Sequence, residues 1–267
     1  MSGETNYTQG YSKATLATHA SRTVDSDAAF TLPFLQPTDK ILDVGCGPGT
    51  ITVGFAAHVP QGSVTGLDMS PDVLEQAKSR DNLPPNVSFI QGDLLKGLDI
   101  EDGKYDVVFN SQLFPHLNSK ETRVAALREM RRVLRLGGIL ASRDAAELHF
   151  YPRKYNLDHL WAGNMARGLG ALLPGGEMPG LFREVGFESQ KVRVGAGTTV
   201  YSGRESRRWF VDACLGRLQD GEPFRESWRR VGISDGEVEE CKEALKAWAE
   251  DEDAWYVALQ AEVLGWK

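Results

Sequence analysis

The stretch ILDVGCGPGT, residues 41–50, decides the fold. An apolar, strand-like run carries one acid, Asp43, and breaks into glycines at alternate positions, Gly45, Gly47 and Gly49. A Cβ there would block close approach and obstruct unusual φ, so the spacing asks for bare backbone. A strand followed by glycines and then a helix presents backbone amides at a helix N-terminus. Doubly wound sheets bind nucleotides at that carboxyl edge.

Working outward, residues 40–145 alternate between strand-like and helix-like patterns, which predicts a parallel sheet with helices packed on it. KILDV, SVTGLD, NVSFIQ, YDVVFN and GGILASRD are short runs rich in Val, Ile and Phe, as buried strands require. SPDVLEQAKSR opens a helix, with Ser70 as N-cap and Pro71 at the first helical position. In NSKETRVAALREMRRVL, Val124, Leu127, Met130, Val133 and Leu134 share one helical face, and Gly137 and Gly138 are expected to end the helix. After residue 145 the rhythm changes. PGLFREVGF and ESQKVRVGAGTTVY read as a helix and a strand, and residues 203–252 as helices with Trp209, Trp228 and Trp248 packed inside. AWYVALQAEVLGW suits a last strand beside the one near residues 187–201, or alternatively a helix.

The 267 residues hold 41% hydrophobic and 25% charged side chains, ordinary for a soluble globular chain. A net charge of -7 gives no electrostatic footprint for gripping nucleic acid. Cys46, Cys214 and Cys241 lie apart in no metal-ligand spacing, so no metal and no disulfide framework are expected. No secretory leader and no membrane-length apolar run is read, which predicts a cytoplasmic protein without a membrane partner.

Two further acids sharpen the site. Asp68 ends the second strand some twenty residues after the glycines, where a carboxylate accepts from ribose hydroxyls. Asp43, ahead of the glycines, would repel a pyrophosphate but welcome an amino group and a positive centre, which disfavours a nicotinamide dehydrogenase. Asp93 in IQGDLL can accept from an adenine amine, with the Leu94 amide reading the ring edge. Each acid taken alone also fits a turn or cap residue.

ILDVGCGPGT, GLDMSPDVLEQA, NVSFIQGDLL, YDVVFNSQLFPHL and RRVLRLGGIL together resemble, in order, the motifs of class I S-adenosylmethionine-dependent methyltransferases, in particular the ubiquinone/menaquinone-biosynthesis type. The resemblance covers residues 38–145. Leu136 departs from it, standing at a turn where proline is common in the family. The resemblance implies an α/β, doubly wound, seven-stranded sheet with its last strand reversed. It also implies S-adenosylmethionine as cofactor, with residues 45–49, including Cys46, at its methionine part, Asp68 at the ribose and Asp93 and Leu94 at the adenine, and Met69 among the cofactor contacts. Organisation is read as a single domain over 1–267, with an N-terminal helical lid (1–37), a cofactor-binding core (38–145) and acceptor-side insertions with the last strands (146–267).

Methyl transfer is an in-line displacement from an activated donor, so alignment is obligatory and a base optional. Asn110 and Ser111 are expected beside the methyl group, and Gln112 on the acceptor side. Signatures for amide or adenine amino methylation, for cytosine attack and for arsenic are missing, which leaves a small organic acceptor; a cyclic or aromatic metabolite is the leading expectation. His116, after the fourth strand, is the first candidate base and His149 the second; either also fits a packing or capping role. Asp144, Tyr151, Trp161, Asn164 and Met165 are candidates for the acceptor pocket, Arg22 for the methionine carboxylate, and Tyr11 (with Tyr7) for a lid over the cofactor. Alternative readings keep the cofactor but use it for cyclisation or dehydration, or keep only the fold as a regulatory partner.

Overall fold

The computed structural model describes residues 20–169 and 173–267. The strands are β1 (Lys40–Val44), β2 (Ser63–Asp68), β3 (Val87–Gln91), β4 (Tyr105–Ser111), β5 (Leu134–Tyr151), β6 (Val192–Ser202) and β7 (Trp255–Trp266), in the order β3-β2-β1-β4-β5-β7-β6. The helices used below are α1 (Val24–Asp27), α2 (Thr50–Phe55), α3 (Pro71–Lys78), α4 (Lys120–Val133), α5 (Asn164–Leu169), α6 (Met178–Glu184), α7 (Arg204–Arg217), α8 (Pro223–Arg230) and α9 (Asp235–Glu250).

β1 through β5 run parallel, with β1 paired to β2 on one side and β4 on the other. β7 runs against them. The Gly137 amide donates to the Lys267 carbonyl (2.8 Å) and the Lys267 amide to the Gly138 carbonyl (3.0 Å), while Arg143, further along β5, reaches back to Glu262 (3.3 Å). β6 in turn opposes β7, since Gly195 faces Glu262 and Thr199 bonds Gln260. The seven-stranded sheet with a reversed closing strand is therefore as expected, and the closing segment is a strand.

Among the described residues, the chain clusters into two compact units. One holds 20–144, 175–196 and 261–267; the other holds 145–169, 173–174 and 197–260. In the first, alternate strand residues bury two apolar layers. Leu42, Val44, Val108 and Leu140 pack with Leu127, Met130 and Phe182, and Ile41, Val107, Phe109 and Ala141 pack with Phe55 and Ala28. Strand alternation sends successive side chains to opposite faces, so each strand feeds both layers. The second unit has its own core of Phe150, Trp161, Phe224, Trp228, Leu245, Trp248 and Tyr256. Trp228 and Trp248 are fully buried there, in the packing role read for them.

Local signals explain the helix starts. Ser70 caps α3, its hydroxyl accepting from the Val73 amide, with Pro71 following. Ser119 and Thr122 form a reciprocal capping box at α4, as Ser234 and Glu237 do at α9. Two expectations need correction. α4 stops at Val133, and Gly137 and Gly138 lie inside β5, where the register against β4 slips between Leu134 and Ile139. Gly137 has φ +74°, so the glycines form a bulge in the strand and do not cap the helix. β5 also continues past Asp144 to Tyr151, which makes Asp144 and His149 strand residues.

Candidate functional site

The turn after β1 takes its shape from three left-handed glycines, Gly45 (φ +69°), Gly47 (+53°) and Gly49 (+77°). The amides of Gly45 and Cys46 both donate to the Leu67 carbonyl, at 2.7 and 3.0 Å, which ties the turn to β2. Two of the glycines face opposite demands. A Cβ on Gly49 would sit 2.7 Å from the Phe89 ring, so the core excludes it. A Cβ on Gly47 would meet nothing within 4 Å and would project into open space over the turn.

Both predicted acids line this turn. Asp68 accepts from the Gly47 amide with Oδ2 and from the Ser70 amide with Oδ1, each at 3.0 Å. Burial raises its carboxyl above the ordinary range in spite of those bonds. Asp43 is buried behind the glycines, and its Oδ2 accepts from the Thr52 hydroxyl at 2.6 Å. Burial pushes Asp43 up to about 7, the Thr52 bond opposes the rise, and the neighbouring Asp68 charge adds to it. The buried Cys46 thiol is driven well above its usual value, first by burial and then by the same two acids, so it is no nucleophile.

At the next strand end, Asp93 caps the short turn Leu94–Lys96, its Oδ1 accepting from the Leu95 amide (2.9 Å) and its Oδ2 lying 3.2 Å from Lys96. Its Oδ1 is thus engaged by its own turn, while the buried Oδ2, beside Lys96, accepts no hydrogen bond among the described residues. Met69 is exposed, and its carbonyl accepts from Gln91 at 3.1 Å.

The ends of β4 and β5 build a buried polar cluster. Strand register places Asn110 opposite Ser142 and also opposite Val44, the last residue before Gly45. Asp144, predicted as an acceptor-pocket residue, is fully buried and accepts three bonds. These come from the Ser142 hydroxyl (2.8 Å), the Asn110 carboxamide (3.1 Å) and the Phe114 amide (3.1 Å). Burial pushes its carboxyl up to about 7 against those bonds and the attraction of half-buried Arg22. Asn110 Oδ1 and Ser111 Oγ are buried with no hydrogen-bond partner among the described residues. Gln112 takes a left-handed φ of +55°, and its amide bonds the Arg143 carbonyl at 2.8 Å. With Asp144 gripping Phe114, the loop carrying His116 is pinned to β5 at two points, and half-buried His116 ends a one-turn helix, Phe114–His116.

The remaining candidates belong to the other unit. His149 has Nδ1 2.8 Å from Asp158 and Nε2 3.0 Å from Glu147, so both ring nitrogens face carboxylates. Tyr151 stacks on Trp255 with centroids 4.6 Å apart. Trp161, 3% exposed, packs on Phe224 and Trp228; Met165 joins the same core; and Asn164 bonds Leu160 and Arg167. All three are held in the insertion's own core, where its apolar stripe is buried. Tyr7 and Tyr11 lie outside the described residues.

Sequence reasoning missed Thr52 and Ser142, the hydroxyls that bond the two buried acids. It also missed Arg143, buried between Asp27 (2.8 Å) and Glu262 (3.3 Å). A threonine inside an otherwise apolar helix turn, TITVGF, is the one signal that could have found Thr52. Among the described residues no cluster of metal-ligating side chains forms, and no helix is long and apolar enough to cross a membrane.

Residues 41–138 match a family model described as a methyltransferase domain. Over 99% of both chains the sequence is 44% identical to "Probable methyltransferase ltbC" of Aspergillus luteorubrus. It is 30% identical to an uncharacterised methyltransferase of Schizosaccharomyces pombe, across 97% of this chain and 95% of that one. The crystal structure of the YcgJ protein of Bacillus subtilis shares the fold at a TM-score of 0.58 and 16% identity, covering 89% of this chain and 96% of that one.

Proposed function

The chain belongs to the class I S-adenosylmethionine-dependent methyltransferases, and from that premise we propose that it transfers the methyl group of S-adenosylmethionine to a small, cyclic or aromatic metabolite, giving an O-, C- or N-methyl product. Bound at the glycine turn, that cofactor would supply an electrophilic methyl group on a sulfonium leaving group. Three features of the site fit it. Gly47 leaves open space over the turn, the Asp43 and Asp68 carboxylates offer charge to an ammonium and to hydroxyls, and Asn110 Oδ1 and Ser111 Oγ are buried with no hydrogen-bond partner among the described residues.

The observation that carries the reading is Asp43. A carboxylate buried behind a glycine turn opposes a phosphate ligand and gains from a cationic one. The chain's own part in the reaction is then alignment and proton removal. Asp68 and Asp93 hold the nucleoside end, the Gly45–Gly49 turn and Arg22 the methionine end, and Asn110 and Ser111 line the reacting end. His116, on the pinned loop after β4, takes the proton of a phenol or enol acceptor. His149 is the weaker base, since a ring with both nitrogens against carboxylates has no acceptor to offer until one contact breaks.

Isothermal titration with S-adenosylmethionine and S-adenosylhomocysteine tests the reading, and micromolar binding of both is expected. A folded protein that bound neither would end it. His116→Ala should slow labelled-methyl transfer to an identified acceptor while sparing cofactor affinity, and an unchanged rate would remove His116 as base.

A further inference from the structure

Asn110 carries a carboxamide, which can present either its oxygen or its nitrogen to a ligand, and the buried cluster decides which. A carboxylate only accepts, so Asp144 requires the Asn110 nitrogen to face it, as it does at 3.1 Å. Oδ1 then turns away from the cluster. It is fully buried and has no hydrogen-bond partner among the described residues. Unbonded buried carbonyl oxygens are costly and rare, and one at a ligand site marks where a ligand donor completes the bond. The register with Val44 sets this oxygen at the strand level of the glycine turn.

We propose that Asp144 is a positioning residue: by holding the Asn110 nitrogen it fixes Oδ1 as an acceptor for a cationic group of the sulfonium cofactor, an inference that rests on the methyltransferase reading above. Asp144 itself touches neither cofactor nor acceptor. The cationic group is the α-ammonium or the polarised methyl of the sulfonium, both of which favour a carbonyl oxygen over an amide N–H.

Replacing Asp144 inverts the arrangement in a defined way. In Asp144→Asn the Phe114 amide still needs an acceptor, so the new oxygen stays where Oδ1 was, and the new NH2 takes the place of Oδ2. The Ser142 hydroxyl can rotate to accept from it. Asn110 must then turn its oxygen inward and present its NH2 to the ligand. The double variant Asn110→Asp with Asp144→Asn restores an outward oxygen, because the carboxylate introduced on β4 accepts from the new NH2 with one oxygen and keeps the other free.

The test is calorimetric titration of S-adenosylmethionine and S-adenosylhomocysteine into wild type, Asp144→Asn and the double variant. A pH of 8.5 keeps wild-type Asp144, pushed up to about 7, in its carboxylate form. Asp144→Asn should weaken S-adenosylmethionine binding by about tenfold or more, and the double variant should recover most of that loss. An equal loss for S-adenosylhomocysteine assigns the bond to the ammonium, and a loss confined to S-adenosylmethionine assigns it to the methyl sulfonium. Wild-type affinity in Asp144→Asn, or no recovery in the double variant, overturns the inference. If Asp144→Asn does not fold, Asn110→Ala carries the test, with the same loss expected and unchanged affinity overturning the inference. Failure of wild type to bind either ligand would instead strike the methyltransferase reading beneath it.

Discussion

Asp43→Asn should make the ligand-free protein more stable at pH 8 while removing its hold on the cofactor. Burial raises Asp43 from an ordinary 3.8 to about 7. At about 1.4 kcal/mol for each tenfold change, that gap costs the folded state about 4 kcal/mol once Asp43 is ionised. The sign follows from the raised value. The carboxyl's favourable contribution is complete below 3.8 and is lost as pH rises through about 7, so at pH 8 the wild type carries the whole penalty. Asparagine has no charge to desolvate and can still accept from the Thr52 hydroxyl, although its NH2, left unbonded, returns about 1–3 kcal/mol of the gain. The net expectation is about 1–3 kcal/mol of stabilisation at pH 8 and none at pH 5, where the wild type carries only about 1.7 kcal/mol of the penalty and the unbonded NH2 offsets it. Urea denaturation of both proteins at the two pH values measures this directly. A stability difference between variant and wild type that does not change between pH 5 and pH 8 would refute the reasoning. Calorimetry should show cofactor binding lost in the variant. In the wild type at pH 7, a cationic ligand should expel a proton, seen as a binding enthalpy that tracks the ionisation enthalpy of the buffer.

Four other substitutions test the turn and the packing described above. Gly49→Ala forces a Cβ to within 2.7 Å of the Phe89 ring at a φ of +77°, and should cost about 2–4 kcal/mol of unfolding free energy; Gly47→Ala, with no such clash, should cost less and act mainly on cofactor affinity. Asp27→Ala leaves the buried Arg143 guanidinium short of one carboxylate and should destabilise by about 3–5 kcal/mol in chemical denaturation, and a loss below about 1 kcal/mol would refute the weight given to that buried pair. Trp161→Ala should cost about 3–5 kcal/mol with KM for cofactor unchanged, since its ring is spent on Phe224 and Trp228.

What could be read from the sequence, and what could not, divides along sequence distance. β1 and β2 were legible residue for residue, because each is a buried apolar run closed by a glycine or an acid. The Ser70 cap and the closing strand were legible for the same reason: their signals are local. β5 was cut short at Asp144, although buried Leu148 and Phe150 continue the alternation with Glu147 and His149; the polar residues looked like site residues and hid a half-buried strand. The role of Asp144 was not legible, since its partners Asn110 and Phe114 stand 34 and 30 residues upstream and meet it only through the register of β4 on β5. The core contacts of Trp161, Asn164 and Met165 were not legible, because an aromatic stripe in an insertion looks the same whether it lines a pocket or fills a core.

The strand order has a consequence for how the chain is made. β7 follows the other strands in sequence but sits between β5 and β6, so β5 lacks its second neighbour, and β6 its neighbour β7, until α7, α8 and α9 have been synthesised. A nascent chain that has emerged as far as Gly203 therefore displays two unsatisfied edges, one of them the long and largely exposed β6. Such long-range pairings fold slowly and leave those edges open to other chains meanwhile. Chaperone dependence and aggregation during expression should thus be governed by the arrival of residues 255–266, and a ribosome stalled before them should hold an incomplete sheet.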